Sequence, residues 1–384
     1  MRLTIEKLVY GGSGLARTDK GVIFVPRTAP GDVVEAEITE QKKDYATARL
    51  VKVLEPSSDR QQPFCPNYQT AGCCHWQHIR YDRQVDHKEA IIRESLERIG
   101  HLGWTGPIKR ILGPDRNYRL RATFQVVNGR VGFAMEKTND VVPITECASL
   151  VPELNDFIPY ANSILERGIT EVHAVSGPAI AANFVFEDGH VKRILRGDSP
   201  VFQVDGTQYR LSADSFFQPN RFLLVPLINE VISQVGPSAK HVLELYAGTG
   251  FFSLPLARIS TEVISVEENN KAVRYGRENV QMNKVSNLRF VVGDVIATLK
   301  AADSRPDVVV LDPPRAGCGV IGAQQIARLK PRRIVYVSCN PSTFAREART
   351  FVSAGYELKQ VTLIDQFPNT YHSEMVGQFD RVVA

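Results

Sequence analysis

The stretch that most restricts the fold is residues 242–257, VLELYAGTGFFSLPLA. An apolar run reads as a strand, passes Glu244, enters Ala247-Gly248-Thr249-Gly250 and continues as a helix. Glycines let a backbone turn sharply and approach a ligand closely, and a helix start presents free N–H groups. From about residue 236 to the end the pattern alternates strand and helix, which implies a parallel sheet with helices on both faces. A dinucleotide site asks for G-x-G-x-x-G, and here AGTG runs into Phe251-Phe252 instead. Acid-x-x-x-Gly-x-Gly at a strand end is the pattern of a site for S-adenosylmethionine. Two further apolar runs agree with that reading. EVISVEEN ends at Glu267, placed to accept from a ribose, and LRFVVGD ends at Asp294, placed to meet an adenine amino group. Turn glycines and solvated acids would account for any one of these features, but less well for all three in order.

The chain is 384 residues long, enough for two or three domains. Residues 1–56 read as short strands between Gly-rich turns, the pattern of a small OB-like β-barrel. PSSDRQQP is a breaker-rich linker. Residues 64–225 read as a mixed α+β central domain, with a cysteine-rich knot and a helix over 81–100 that could pack on the catalytic domain. Residues 235–384 are the α/β part, a Rossmann-like sheet expected to have seven strands. There is no run of about 18 apolar residues, and the opening MRLTIEKLVYGG has no apolar leader stretch, so a cytoplasmic protein without a membrane span is expected. Six cysteines are too few and too clustered for a disulfide scaffold. The net charge of +4 is bland, but residues 80–121 hold ten Lys/Arg against six Asp/Glu, so the rest of the chain sums to zero. Arg110, Arg116, Arg119 and Arg121 crowd its end, which suits a phosphate-bearing partner, although a charge run by itself is more often a solvated face.

Three C-terminal motifs carry the chemistry. VVVLDPPRAGCG delivers Asp312 to the carboxyl edge of the sheet and stiffens the following loop with two prolines. RRIVYVSCNPSTFAR ends a strand at Cys339, with a helix starting near Ser342. A thiol beside a helix N-terminus is expected to have a lowered pKa and to be the better nucleophile for it. A lone strand-end cysteine is ordinarily a small buried hydrophobe, but this one shares its edge with the methyl-donor motifs. The last strand of such a sheet runs antiparallel beside the fifth, so its first residue, Glu374, should lie near Cys339. A thiolate and a carboxylate beside a methyl donor suit uracil. Carbon 5 of uracil is too weak a nucleophile to be methylated directly. Thiolate addition at carbon 6 makes an enolate that can attack the methyl group, after which a base must remove the carbon 5 proton. The target base must leave its stack, which costs a few kcal/mol.

With GGSGLAR…GVIFVPRTAPGD, CCHWQH, SFFQPN, VLELYAGTG, LDPPRAG, YVSCNP and FPNTYHSE in place, the chain resembles the RNA 5-methyluridine methyltransferases over essentially its whole length. It is most similar to the ribosomal-RNA branch, which has an N-terminal TRAM barrel and an iron–sulfur motif. The resemblance makes Cys339 the nucleophile and Glu374 the base, and gives Gln218, Tyr246, Gly248, Glu267 and Asp312 cofactor or substrate contacts. It implies RNA as partner, ribosomal rather than transfer RNA, and a monomeric enzyme. It also implies a 4Fe-4S cluster on Cys65, Cys73, Cys74 and Cys147. Here the sequence departs from the family pattern: Ala71 stands at the second cysteine position and Cys73 where a glycine is expected, so three-ligand, zinc (with His75 and His78) and metal-free alternatives stay open. Cys318 is read as packing. Glu278-Asn279-Val280 spells a DNA cytosine-methyltransferase motif but is read as helix surface. A transfer-RNA substrate, and a non-catalytic RNA-binding or assembly role, are the competing functions; a pure binder would need neither Cys339 nor Glu374.

Overall fold

The computed structural model describes residues 1–135, 138, 140–196, 201–302 and 305–382. At the N-terminus, six strands form one sheet in the order Arg2–Thr4, Val33–Gln41, Tyr45–Glu55, Gly21–Val25, Gly14–Thr18, Lys7–Leu8. Buried and exposed positions alternate along them, as a half-buried pleat requires, and the inward set is Leu3, Ile5, Ala16, Ile23, Val25, Val34, Ala36, Ala46 and Ala48. The linker is not loose. Arg60 reaches back to the buried Asp32 through Nε and Nη2 at 2.8 Å each, while the Ser57 backbone N–H donates to the same carboxylate at 2.9 Å.

The central region is a six-stranded antiparallel sheet, with the helix Pro152–Ser163 packed on its inner face through Leu154, Phe157, Ile158 and Ala161. A two-stranded ribbon, Val201–Val204 with Thr207–Arg210, leads towards the C-terminal part.

The C-terminal sheet has eight strands rather than the expected seven. Their order is Leu288–Val292, Glu262–Glu267, His241–Leu245, Val308–Leu311, Arg333–Ser338, Glu374–Arg381, Tyr356–Ile364, Ile108–Ile111. Glu374–Arg381 is antiparallel to both neighbours, which is the topology the sequence implies. The extra strand comes from the residues ahead of the central sheet and pairs parallel with Tyr356–Ile364. Val308–Leu311 is buried throughout, as a central parallel strand covered on both faces must be. The helix Tyr81–Arg98 also packs here: Val85, Ile92 and Leu96 share a core with Phe344 and Phe351 of the helix Pro341–Ser353. Among the described residues, no helix is long and apolar enough to cross a membrane.

One buried ion pair ties that helix to the approach of the last strand. Lys88 Nζ, wholly buried, donates to Asp365 Oδ1 at 2.6 Å and to the Phe367 carbonyl at 3.0 Å. Removing one member of a buried pair strands the other charge, at a cost of about 3–5 kcal/mol. Lys88→Ala should therefore lower the unfolding free energy by about that much in a urea titration, and a loss below about 1 kcal/mol would mean that the pair does not anchor this segment.

Candidate active site

The loop after His241–Leu245 is built by backbone conformation. Tyr246, Gly248 and Gly250 all have positive φ, at 62°, 55° and 96°. At Gly250 an added Cβ would lie 3.1 Å from Phe290 Cζ, so both the conformation and the space call for glycine. At Gly248 nothing lies within 4 Å of such an atom, which leaves open space beside the loop. The Gly248 N–H donates to Glu267 Oε2 at 2.9 Å, and the Asn269 N–H to Oε1 at 2.8 Å, so Glu267 is fixed at its strand end by two backbone donors with lone pairs to spare. Tyr246 packs its ring on the apolar layer below the sheet edge. Glu244 turns inward instead. It accepts from the Ser253 hydroxyl and from Ser265 Oγ (2.6 Å), and burial pushes its pKa up to about 7. This acid braces the loop and does not face a ligand. Asp294, exposed on the third strand end, caps the following helix by accepting from the Ala297 N–H at 2.7 Å. One carboxylate oxygen of Asp294 is thus engaged locally.

The chemistry gathers at the next strand ends. Gln218 Nε2 donates to Asp312 Oδ2 at 3.3 Å, which joins SFFQPN to LDPPR. Strand register brings Ser338 opposite Met375, so Cys339 and Glu374 follow as the next residues on adjacent antiparallel strands. Both groups are shifted by their surroundings. The Cys339 thiol is pushed up to about 12, by burial first, then by the Glu374 and Asp312 carboxyls, with Arg315 pulling it back. Glu374 is itself held well above the usual carboxyl range by burial and by Asp312. Burial alone raises Asp312 to about 7. The expected lowering of the Cys339 pKa by the helix N-terminus is therefore corrected. Asn340 caps that helix, accepting from the Ser342 N–H at 3.0 Å, but desolvation and two flanking acids outweigh a partial dipole charge. With its pKa pushed up to about 12, the thiol is the protonated form at neutral pH.

Sequence reasoning quoted Arg315 only as part of a motif. Arg315 is nevertheless a cation whose charge reaches both Cys339 and Glu374, and its guanidinium lies 3.3 Å from His372 Nε2. Phe216, beside Gln218, is 65 % exposed with the Arg121 guanidinium 5.7 Å from its ring centre, an arrangement suited to an unstacked base. The doubled phenylalanine of SFFQPN was the available signal. Of the four crowded arginines, Arg110 is spent on Asp86 and Glu89 at 2.8 and 2.7 Å, Arg116 lies over Phe64 at 3.9 Å, and Arg119 Nε donates to the Arg121 carbonyl at 3.0 Å. Two other expectations are settled locally. Cys318 is buried, with its thiol 3.2 Å from Glu347 Oε2, which fits a packing role. Asn279, by contrast, is not helix surface: it is fully buried, accepts from the Arg210 N–H at 2.7 Å and donates to the Thr249 carbonyl at 3.0 Å, clamping the ribbon to the glycine loop.

The cysteine knot centres on Cys74. A hydrogen bond from the Cys73 thiol lowers the Cys74 pKa to about 6, and Cys65 and Cys147 both lie close enough to feel its charge. Yet among the described residues no group of three or more His, Cys, Asp or Glu side chains could hold a metal ion. Ala71, buried and bridged to Met135, brings no donor to the knot. The donor set Cys65, Cys73, Cys74 and Cys147 does not fit a four-iron cluster as it stands.

Residues 174–380 match the family model described as tRNA (Uracil-5-)-methyltransferase, and residues 1–51 match the TRAM domain. The chain is 34 % identical to an uncharacterized RNA methyltransferase of Aquifex aeolicus, over 98 % of this chain and 97 % of that protein. It is 32 % identical to the 23S rRNA (uracil(1939)-C(5))-methyltransferase RlmD of Shewanella sp. strain ANA-3, over 98 % and 95 %. Among solved structures, the Pyrococcus abyssi tRNA (uracil-54, C5)-methyltransferase in complex with S-adenosyl-L-homocysteine superposes with a TM-score of 0.77 at 25 % identity, covering 99 % of this chain and 100 % of that one.

Proposed function

Since the chain belongs to the RNA (uracil-5-)-methyltransferase family, we propose that it methylates carbon 5 of one uridine in 23S rRNA, with Cys339 as nucleophile and Glu374 as the base that releases the product. The observation that carries this reading is the meeting of Cys339, Glu374 and Asp312 at one sheet edge, one residue beyond the Ser338–Met375 pair. The names of the Shewanella and Vibrio parahaemolyticus relatives favour ribosomal over transfer RNA. A non-catalytic binder would have no use for a half-buried thiol beside two carboxyls. The reading includes a cytoplasmic reaction run by a monomer.

The reaction uses this chain's groups in sequence. Asp312 takes the Cys339 proton, which leaves the Glu374 carboxylate free for the later step, and the sulfur adds to carbon 6, forming a C–S bond and moving the ring electrons onto the carbon 4 oxygen. Arg315 adds positive charge at this edge. S-adenosylmethionine, when bound, would supply the methyl group to carbon 5, its S–CH3 bond breaking and its sulfur leaving as a neutral thioether. Glu374 then removes the carbon 5 proton, the carbon 5–carbon 6 double bond re-forms, and the sulfur leaves. Glu267 would hold the cofactor ribose, Asp294 the adenine amino group, and Tyr246, Gly248, Gln218 and Asp312 the rest of its surroundings; the open space at Gly248 suits that placement.

Both carboxyls are raised by burial, so they are neutral below their shifted pKa and can accept a proton only above it. Single-turnover methyl transfer should therefore slow as pH falls through about 7, the value for Asp312, and rise on the alkaline side; a flat profile from pH 6 to 8.5 would rule out this proton acceptor. The substrate is tested by incubating the protein with labelled S-adenosylmethionine and, separately, unmodified 23S rRNA and tRNA transcripts, then mapping the label. Label at one 23S uridine supports the reading, and label only in tRNA redirects it. As for the knot, a cluster on Cys65, Cys73, Cys74 and Cys147 would require those thiols to close up around it. Visible absorption from anaerobically purified protein decides its presence.

A further inference from the structure

Building on the uracil reading above, we propose that Tyr10, His75, Tyr371 and His372 form an aromatic subsite beside Cys339 that takes a nucleobase of the RNA, so that the N-terminal barrel supplies part of the catalytic cleft. Tyr10 sits in the turn between Lys7–Leu8 and Gly14–Thr18, which is closed by the Val9 N–H to the Ser13 carbonyl at 3.0 Å and the Gly12 N–H to the Val9 carbonyl at 3.0 Å. That turn is pressed against the active-site loop. A Cβ on Gly12 would lie 2.9 Å from Tyr371 Cδ1 and 3.5 Å from His75 Cβ, and Trp76 Nε1 donates to the Gly12 carbonyl at 3.0 Å. The knot is fastened to the same loop, since the His75 and Trp76 N–H groups both donate to the Asn369 carbonyl at 3.0 Å.

The rings follow from that docking. Tyr10 meets Tyr371 edge to face at 5.5 Å, Tyr371 lies 4.6 Å from His75 and 4.2 Å from His372, and His372 contacts Arg315. Tyr10, His75, Tyr371 and His372 are each half-buried, whereas Tyr118 and Tyr209 are closed off in the core. Tyr371 and His372 immediately precede Ser373-Glu374. The Tyr10 hydroxyl, raised to about 12 mainly by burial, also senses Cys339 and Glu374. An aromatic wall next to a site that must hold a flipped base is suited to stacking that base or its splayed neighbour.

Base–aromatic stacking is worth about 1–3 kcal/mol per base by alanine substitution, so Tyr10→Ala should lower kcat/KM for an unmodified 23S rRNA transcript roughly 5- to 150-fold, mostly through KM, and leave KM for S-adenosylmethionine alone. Tyr10→Phe, which keeps the ring, should recover most of the loss. A transcript carrying 4-thiouridine should, on irradiation, crosslink to the peptides bearing Tyr10 or Tyr371, a readout that holds even if Tyr10→Ala folds poorly. Wild-type kcat/KM in Tyr10→Ala, equal losses in the Ala and Phe variants, or crosslinks that avoid both peptides would overturn the subsite. Absence of methyl transfer to any RNA by the unaltered protein would instead defeat the uracil reading, and the subsite with it.

Discussion

Cys339→Ala should abolish methyl transfer, with a loss on the order of 10^4-fold or more, while RNA binding stays close to that of the parent protein. The size follows from the chemistry. Without sulfur addition at carbon 6, carbon 5 of uracil has no enolate to draw on, and neither Arg315 nor a bound methyl donor replaces that step. Binding should survive because the thiol is one small group between adjacent strands, whereas the exposed Phe216 with Arg121 and the N-terminal barrel lie outside the reacting pair. Methyl release into RNA and filter binding measure the two quantities separately. Comparable losses in both would mean that Cys339 supports the fold and not the reaction.

Glu374→Gln separates the two halves of the cycle. Sulfur addition and methylation need a proton acceptor for the thiol, for which Asp312 remains; release needs a base at carbon 5. Turnover should drop about 10^2- to 10^4-fold, the usual worth of a positioned general base, while a protein–RNA adduct accumulates and survives denaturing electrophoresis. Glutamine keeps the shape and brings no charge into a site where burial disfavours one, so the variant should fold. If turnover fell with no adduct, Glu374 would be acting before carbon–sulfur bond formation, and Asp312 would be the candidate for the later step.

The parts of this site that lie on contiguous motifs were legible in the sequence. The glycine loop and the strand-end acids follow from local spacing, the antiparallel last strand from the type of sheet those motifs imply, and together they bring Cys339 and Glu374 to one edge. What could not be read depends on burial or on tertiary docking. The sign of the Cys339 shift is one case: the helix N-terminus is visible in SCNPS, but desolvation and the closeness of two acids are properties of the assembled sheet. Ile108–Ile111 is another, because four residues far from the rest of the sheet carry no periodicity that assigns them to it. Asn279 looked solvated because a helix position alone does not say that the strand Thr207–Arg210 of the ribbon folds over it. Glu244 and Asp294 both sit where a ligand acid belongs, yet Glu244 is committed to two serines and one oxygen of Asp294 to a helix cap. Tyr10, nearly 330 residues ahead of Cys339, gives no local sign of being near it.

Covalent attack by Cys339 is tested most directly with the unaltered protein and an RNA transcript in which 5-fluorouridine replaces uridine. Fluorine at carbon 5 cannot be abstracted as a proton, so the step assigned to Glu374 is blocked by the substrate itself. After incubation with S-adenosylmethionine, nuclease and protease digestion, mass spectrometry should find a methylated fluorouridine nucleotide attached to the peptide that contains Cys339. Attachment to a different cysteine, or efficient methylation of ordinary uridine with no trapped species from the fluorinated RNA, would contradict the account.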